Sequence, residues 1–282
     1  MPHFNVAKAV RSNPIYGRHV RWIHRFGEVI AALDCKPNSA VAFAECVANW
    51  QGSNGLKSDG MLGPKTWAKL GRAIPSGAPM LPAPAWLRLS PEAEGWIDAI
   101  VATLEQDTTF LRVNHGAHSV RHEDFKEIAG FIADGTIEVV PVNSRGGSYE
   151  FRNTEDDADT LKPPRRSGGP WRVTQALIIH EAVHAISDLR ELHVSTLDEE
   201  AFAYVVQGMF LERHKQPATL HHDAPTKRLK NEARALAVKY LAGEIVIDPD
   251  WEALRETIRK HPIYRPRFRK KLKFDGLLRD LP

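Results

Sequence analysis

Two histidines and a glutamate stand together at 180–184, within TQALIIHEAVHAISDLREL (174–192). On an α-helix, positions i and i+4 share a face and lie about 6 Å apart along the axis. His180 and His184 can therefore grip one metal ion. Glu181 is turned by about 100° from His180, so its carboxylate reaches over the metal toward bound water. Two neutral imidazoles and an adjacent general base are what H-E-x-x-H spacing provides. The apolar run Leu177-Ile178-Ile179 leads straight into His180, which predicts a buried helix and a dry site.

Zinc is the expected cofactor. It needs a third protein ligand and an open position for water. The segment LDEEAFAYVVQGMF (197–210) offers two carboxylates on the next predicted helix. Glu200 is preferred as third metal ligand over Glu199, because Ala203 leaves the helix face beside Glu200 small, whereas Glu199 is followed by Phe202. Asp198 suits an N-cap and Glu199 the first turn. The expected chemistry is hydrolysis of an amide. A zinc-bound water has a pKa near about 7, Glu181 accepts its proton, and one further donor meets the oxyanion. Tyr204 leads the candidates for that donor, ahead of His193 and His214, with His221 or His222 more remote. The stretch VNHGAHSVRH (113–122) brings His115, His118 and His122 together as another candidate site lining, but with no carboxylate at a metal-binding register it reads as loop chemistry of no assigned purpose.

The elements that must hold these groups follow from periodicity. Apolar spacing predicts helices over 18–34, 40–51 and 66–74, the last opened by Pro64. Further helices are expected at 91–107 (Ser90 as N-cap), 123–134, 198–213, 226–242 and 250–260. Residues 136–143 and 148–153 read as two strands around a turn at Arg145-Gly146-Gly147, followed by a polar loop over 154–170. The fold class is α+β with helix dominant. The Pro-rich window PSGAPMLPAPAWLRLSP (75–91) reads as a linker or clasp. It separates a helical domain at 1–74 from a larger domain at 92–282 that ends in a basic tail.

Two resemblances follow from these motifs. HEAVHAISD followed by EAFAY resembles the gluzincin zinc metallopeptidases over about 136–210. The resemblance implies His180, His184 and Glu200 as zinc ligands and Glu181 as base. Tyr204 departs from it, since an acidic residue that orients a ligand histidine often stands there; Asp188 is an alternative for that task. FAECVANWQGSNGLKSDGMLGPKTWAKL (43–70) resembles the peptidoglycan-binding-like repeat, through Trp50-Gln51, Gly55-Leu56, Asp59-Gly60, Gly63, Thr66-Trp67 and Leu70. That resemblance implies peptidoglycan or cell-wall peptide as partner. Trp50, Leu56, Leu62, Trp67 and Leu70 are its expected core.

Composition limits the rest. The 282 residues carry 43% hydrophobic side chains and a formal charge of +3, enough for a core and too mild to call for nucleic acid. No apolar run reaches membrane-spanning length, and MPHFNVAKAVRSNP lacks the apolar stretch of a secretion signal. Such a chain is expected to be made in the cytoplasm and, if it acts on cell wall, to be exported by a signal-independent route. Residues 259–273, RKHPIYRPRFRKKLK, hold eight Lys or Arg and no acid, which reads as a solvated tail or a surface for an anionic partner. Cys35 and Cys46 can be free thiols or a disulfide. The function expected is a zinc-dependent amide or peptide hydrolase directed to bacterial cell wall. A non-catalytic wall- or polyanion-binding protein and a cytoplasmic metalloprotease are the alternatives.

Overall fold

The computed structural model describes residues 4–19, 22–87, 89, 91–142, 148–150, 159–164, 171–216 and 224–264. Helix dominates, with two small sheets, so the α+β class expected from the sequence holds. No helix among the described residues is long and apolar enough to cross a membrane. Two compact units are distinguished. One holds the described residues up to Gly95 and the stretch Phe131–Glu138; the other holds Trp96–Gly130 and the described residues from Val139 on.

The first unit contains α1 (Val6–His19), α2 (Phe26–Leu33), α3 (Ala40–Ser53) and α4 (Pro64–Leu70). Periodicity did not reveal α1, which carries Pro14 inside it, a residue that normally argues against helix interior. The expected helix over 18–34 is a 3-10 turn at Trp22–Arg25 followed by α2. Ser39 caps α3, accepting from the Ala42 N–H at 3.2 Å. The core is larger than the motif residues alone provide. Trp22, Phe26, Val29, Phe43 and Val47 join Leu62 and Leu70 in it, while Trp50 and Trp67 pack at its edge.

Gln51 explains much of the motif. Its carboxamide donates to Asp59 Oδ1 (2.8 Å), the Met61 carbonyl (3.1 Å) and Thr66 Oγ1 (3.0 Å). Its oxygen accepts from the Gly60 N–H (2.9 Å). Gly60 has φ +73°, and a Cβ there would stand 2.9 Å from the Ala44 carbonyl, so glycine is required at this turn. The Pro-rich stretch packs on this unit as a strap. Gly27 N–H donates to the Leu81 carbonyl (3.2 Å) and Ala83 N–H to the Ile23 carbonyl (2.8 Å), and Ala83 and Leu87 are buried in the core.

After α4 the chain continues with α5 (Pro91–Gln106), β1 (Arg112–His115), β2 (His118–Arg121), α6 (His122–Asp134), β3 (Ile137–Val139), β4 (Ser148–Glu150), β5 (Asp159–Lys162), α7 (Trp171–Leu189), α8 (Thr196–Arg213), α9 (Ala224–Leu241) and α10 (Asp248–Lys260); of these, the start of α5, the end of α6 and most of β3 belong to the first unit. Three expectations are corrected. VNHGAHSVRH is not a loop: β1 and β2 form an antiparallel hairpin pairing Val113 with Val120 and His115 with His118. Its turn passes through Gly116 at φ +58°. The polar loop over 154–170 contains β5, whose single large apolar residue, Leu161, is buried while its other residues are polar, so no hydrophobic run announced it. β5 pairs antiparallel with β4. Finally, Ser195, not Asp198, caps α8: its hydroxyl accepts from the Asp198 N–H at 3.0 Å. The Ser90 cap, residues 151–153 of the second strand, the Arg145-Gly146-Gly147 turn, His221, His222 and the basic stretch from residue 265 on lie outside the described residues.

Candidate metal centre

α7 is apolar on most sides, and Ile178, Ile179, Ala182, Val183, Ala185 and Ile186 are all buried. A helix hydrophobic all round belongs inside a domain. Its first half is pinned to α5, where Gln175 donates to Thr103 Oγ1 (3.0 Å) and Asp107 Oδ2 (2.8 Å). α8 and α9 approach closely at Gly208, where a Cβ would stand 3.2 Å from Ala237 Cβ.

Against this rigid background, α7 presents His180 and His184 on one face, their ring centroids 5.1 Å apart. α8 brings Glu200 to them, with Oε2 3.5 Å from His180 Nε2. One ligand atom from each of His180, His184 and Glu200 lies within 4.8 Å of the others. Two donors of a tetrahedral ion, each at about 2.1 Å, would stand about 3.4 Å apart, close to the His180–Glu200 separation. Glu200 Oε2 is buried and has no hydrogen-bond partner. A buried carboxylate oxygen left unmet is costly, and a cation is the partner that its neighbours suit. The residues present fit a divalent ion.

The electrostatics agree. Burial alone would lower the pKa of His184, but the hydrogen bond it donates to Glu199 and the charges of Glu200, Glu199 and Glu181 push it up to about 9. A proton thus stands where a cation would bring charge. Burial pushes the Glu200 carboxyl up, while the His180 ring facing it, the charges of both histidines and the Tyr264 hydroxyl outweigh it and hold it below the ordinary range.

Glu199, the alternative ligand, is turned elsewhere. It is fully buried and its Oε1 lies 3.0 Å from His184 Nδ1. Nδ1–H donating to this carboxylate leaves the Nε2 lone pair for a metal. Adjacent residues on a helix differ by about 100°, so one of the pair faces the centre and the other supports a ligand. The orienting task offered to Asp188 is met by Glu199, while Asp188 Oδ2 accepts from the Tyr149 hydroxyl at 2.8 Å. Tyr149 also holds Glu181, whose Oε2 accepts its backbone N–H at 2.8 Å.

Tyr204 packs its ring edge-on to His180, with centroids 4.6 Å apart, and its hydroxyl lies 2.7 Å from that of Tyr264. Tyr264 is buried and hydrogen-bonds Glu200. Burial, then the Glu200 charge, raises its hydroxyl well above the ordinary value, so it stays protonated and can donate. The structure does not gather the other candidates here. His193 is exposed. His214 packs against Phe210 and Phe110, and His122 Nδ1 meets Thr108 Oγ1 at 2.9 Å.

Sequence reasoning missed Tyr264 and the Tyr149 amide, and singled out His118 without giving it a partner. Tyr264 sat in a segment read as basic tail, where Pro262-Ile263-Tyr264 is an uncharged interruption. His118 had a signal: Leu111, Val113, His118 and Val120 alternate inward along the hairpin and are all buried.

No protein-family model and no solved structure matches the chain. One curated relative does, named 2-dehydro-3-deoxyphosphooctonate aldolase, from Pelobacter propionicus. It is 27% identical over 133 residues, 44% of this chain and 46% of that protein. The chain thus spans less than half the length of the relative that it matches. The name corrects the expected function: the relative is an aldolase, so a zinc-dependent amide hydrolase of the cell wall is not sustained. The coarser expectation of an enzyme agrees with it.

Proposed function

We propose that the second unit is a metal-dependent enzyme acting beside a substrate carbonyl, in chemistry of the aldol type. His180, His184 and Glu200 would hold the ion. The observation that carries the reading is the convergence of their ligand atoms within 4.8 Å around a buried, unmet Glu200 oxygen. Two imidazoles and a carboxylate are a donor set suited to zinc. When bound, such an ion supplies Lewis acidity to a substrate oxygen.

The chain's own groups supply the proton chemistry. Glu181, held by the Tyr149 amide, is placed to take a proton from the carbon next to the carbonyl and return it in the reverse direction. The Tyr204 and Tyr264 hydroxyls, 2.7 Å apart, can donate to the negative charge that develops on oxygen. The name of the matched relative selects the reaction class; the metal and base assignments stand on the site itself.

The test uses protein loaded with Zn2+ and a 2-oxo acid in D2O, with exchange of the protons next to the carbonyl followed by NMR. Wild type is expected to bind one zinc per chain and to accelerate exchange. Glu181→Gln should keep the zinc and lose about a hundredfold or more of the rate. A wild-type chain that takes up no zinc overturns the metal assignment. Zinc uptake without exchange overturns the reaction class, and unchanged exchange in Glu181→Gln removes the base.

A further inference from the structure

We propose that His118, on the β1–β2 hairpin, is a positioning residue of the metal centre that acts through Glu199. The inference rests on the metal assignment above. A fully buried carboxylate needs a donor at each oxygen. Glu199 meets two imidazoles: His184 Nδ1 stands 3.0 Å from Oε1, and His118 Nδ1 stands 3.2 Å from Oε2. The second approach is close but too far off line to be a hydrogen bond, and no hydrogen bond from any described residue reaches that oxygen. His118, the imidazole facing that oxygen at 3.2 Å, is therefore the group placed to keep Glu199 from swinging off His184. Glu199, held at both ends, keeps the Nδ1 proton on His184 and its Nε2 lone pair toward the ion.

Several contacts fix His118 itself. Its ring stacks on Phe202 of α8, with centroids 4.9 Å apart and planes 19° apart. Phe202 lies parallel to Trp251 of α10 within 11°, and Trp251 stacks on His115 at 4.0 Å. His115 and His118 flank the hairpin turn, so the aromatic row clasps both of its sides. Arg190, one residue beyond α7, donates to the Ser119 carbonyl and pairs with Asp124 at 2.6 Å. The hairpin is thereby tied to the metal-bearing helix next to its histidine.

A residue that merely fills space would tolerate a ring of similar size. His118→Phe keeps the stack on Phe202 and removes the donor. His118→Asn keeps a donor near the Nδ1 position and loses the ring. Competition against a chelator should show Zn2+ bound about ten- to a hundredfold more weakly by His118→Phe, with His118→Asn recovering most of the loss. Metal-free protein labelled with 15N-histidine gives the second readout. Recorded at pH 10, where His184 is mostly neutral, His118→Phe should shift the His184 nitrogens from a single Nδ1–H tautomer toward a mixture. Unchanged Zn2+ affinity and unchanged His184 signals in His118→Phe overturn the proposal. Should that variant not fold, the wild-type spectrum decides: His118 protonated on Nδ1 supports the proposal, and His118 protonated on Nε2 alone overturns it. Failure of wild type to bind Zn2+ strikes the metal assignment instead, and the metal-free spectra still report on the His118–Glu199–His184 coupling.

Discussion

Gln51 in the helical unit and Glu199–Glu200 in the second unit are buried polar side chains met in opposite ways. Gln51 has its carboxamide satisfied by four groups of its own unit. Among the described residues up to Gly95, no buried side-chain polar atom lacks a hydrogen-bond partner. Around α7 and α8 the opposite holds: Nδ1 of His180, both nitrogens of His118 and Oε2 of Glu199 and Glu200 are buried without hydrogen-bond partners. A closed polar network holds a fold together, while an open one marks where a ligand completes the set. The motif residues of the helical unit are spent on its own turn and helix, and those of the second unit are left facing a shared space.

The comparison breaks most sharply on the metal. Replacing His180 and His184 together by Ala should take bound zinc from one per chain to none, read by elemental analysis. Zinc at about a hundred times its Kd should stabilise the wild-type second unit by about 2.7 kcal/mol, an increment that the double variant lacks. The closed network gives the next effect. Gln51→Leu should cost the helical unit about 3 kcal/mol, through a stranded Gly60 amide and lost side-chain partners, with zinc content unchanged. Thermal unfolding checks it, and an unaltered midpoint would remove the structural role given to Gln51.

Proton linkage sharpens the comparison further. In metal-free protein His184 is protonated below about 9, and metal requires it neutral. Zinc binding at pH 7 should therefore release close to one proton, measurable by calorimetry in buffers of different ionisation heat. Apparent affinity should rise about tenfold per pH unit until pH approaches 9 and then level. The smallest effect is expected at Gly208. Gly208→Ala crowds Ala237 and should cost about 1 kcal/mol, with a severalfold weaker zinc affinity as α8 shifts under Glu200.

Much of this site was legible before any coordinates, because its first parts are local. The i, i+4 spacing of His180 and His184 needs nothing but a helix. The choice of Glu200 needed only the small Ala203 beside it. What escaped notice comes from far along the chain. Tyr264 reaches Glu200 from 64 residues away, out of a stretch whose charge concealed one buried tyrosine. His118 reaches Glu199 across 81 positions, from a hairpin of four-residue strands too short for a strong alternating pattern. The cap of α8 was misplaced because Ser195 and Asp198 bond each other, and either suits the position by type. β5 escaped because it offers one apolar residue to the core.

The strap over the helical unit bears on where this chain can be cut. Phe26 and Trp22 share their core with Ala83 and Leu87, and Gly27 lies so near Pro79 that any side chain there would collide with its carbonyl. A fragment ending at residue 74 would bare aromatic surface and should aggregate. One carried past Leu87 keeps its own lid and should stay monodisperse, so the autonomous N-terminal piece ends beyond the prolines.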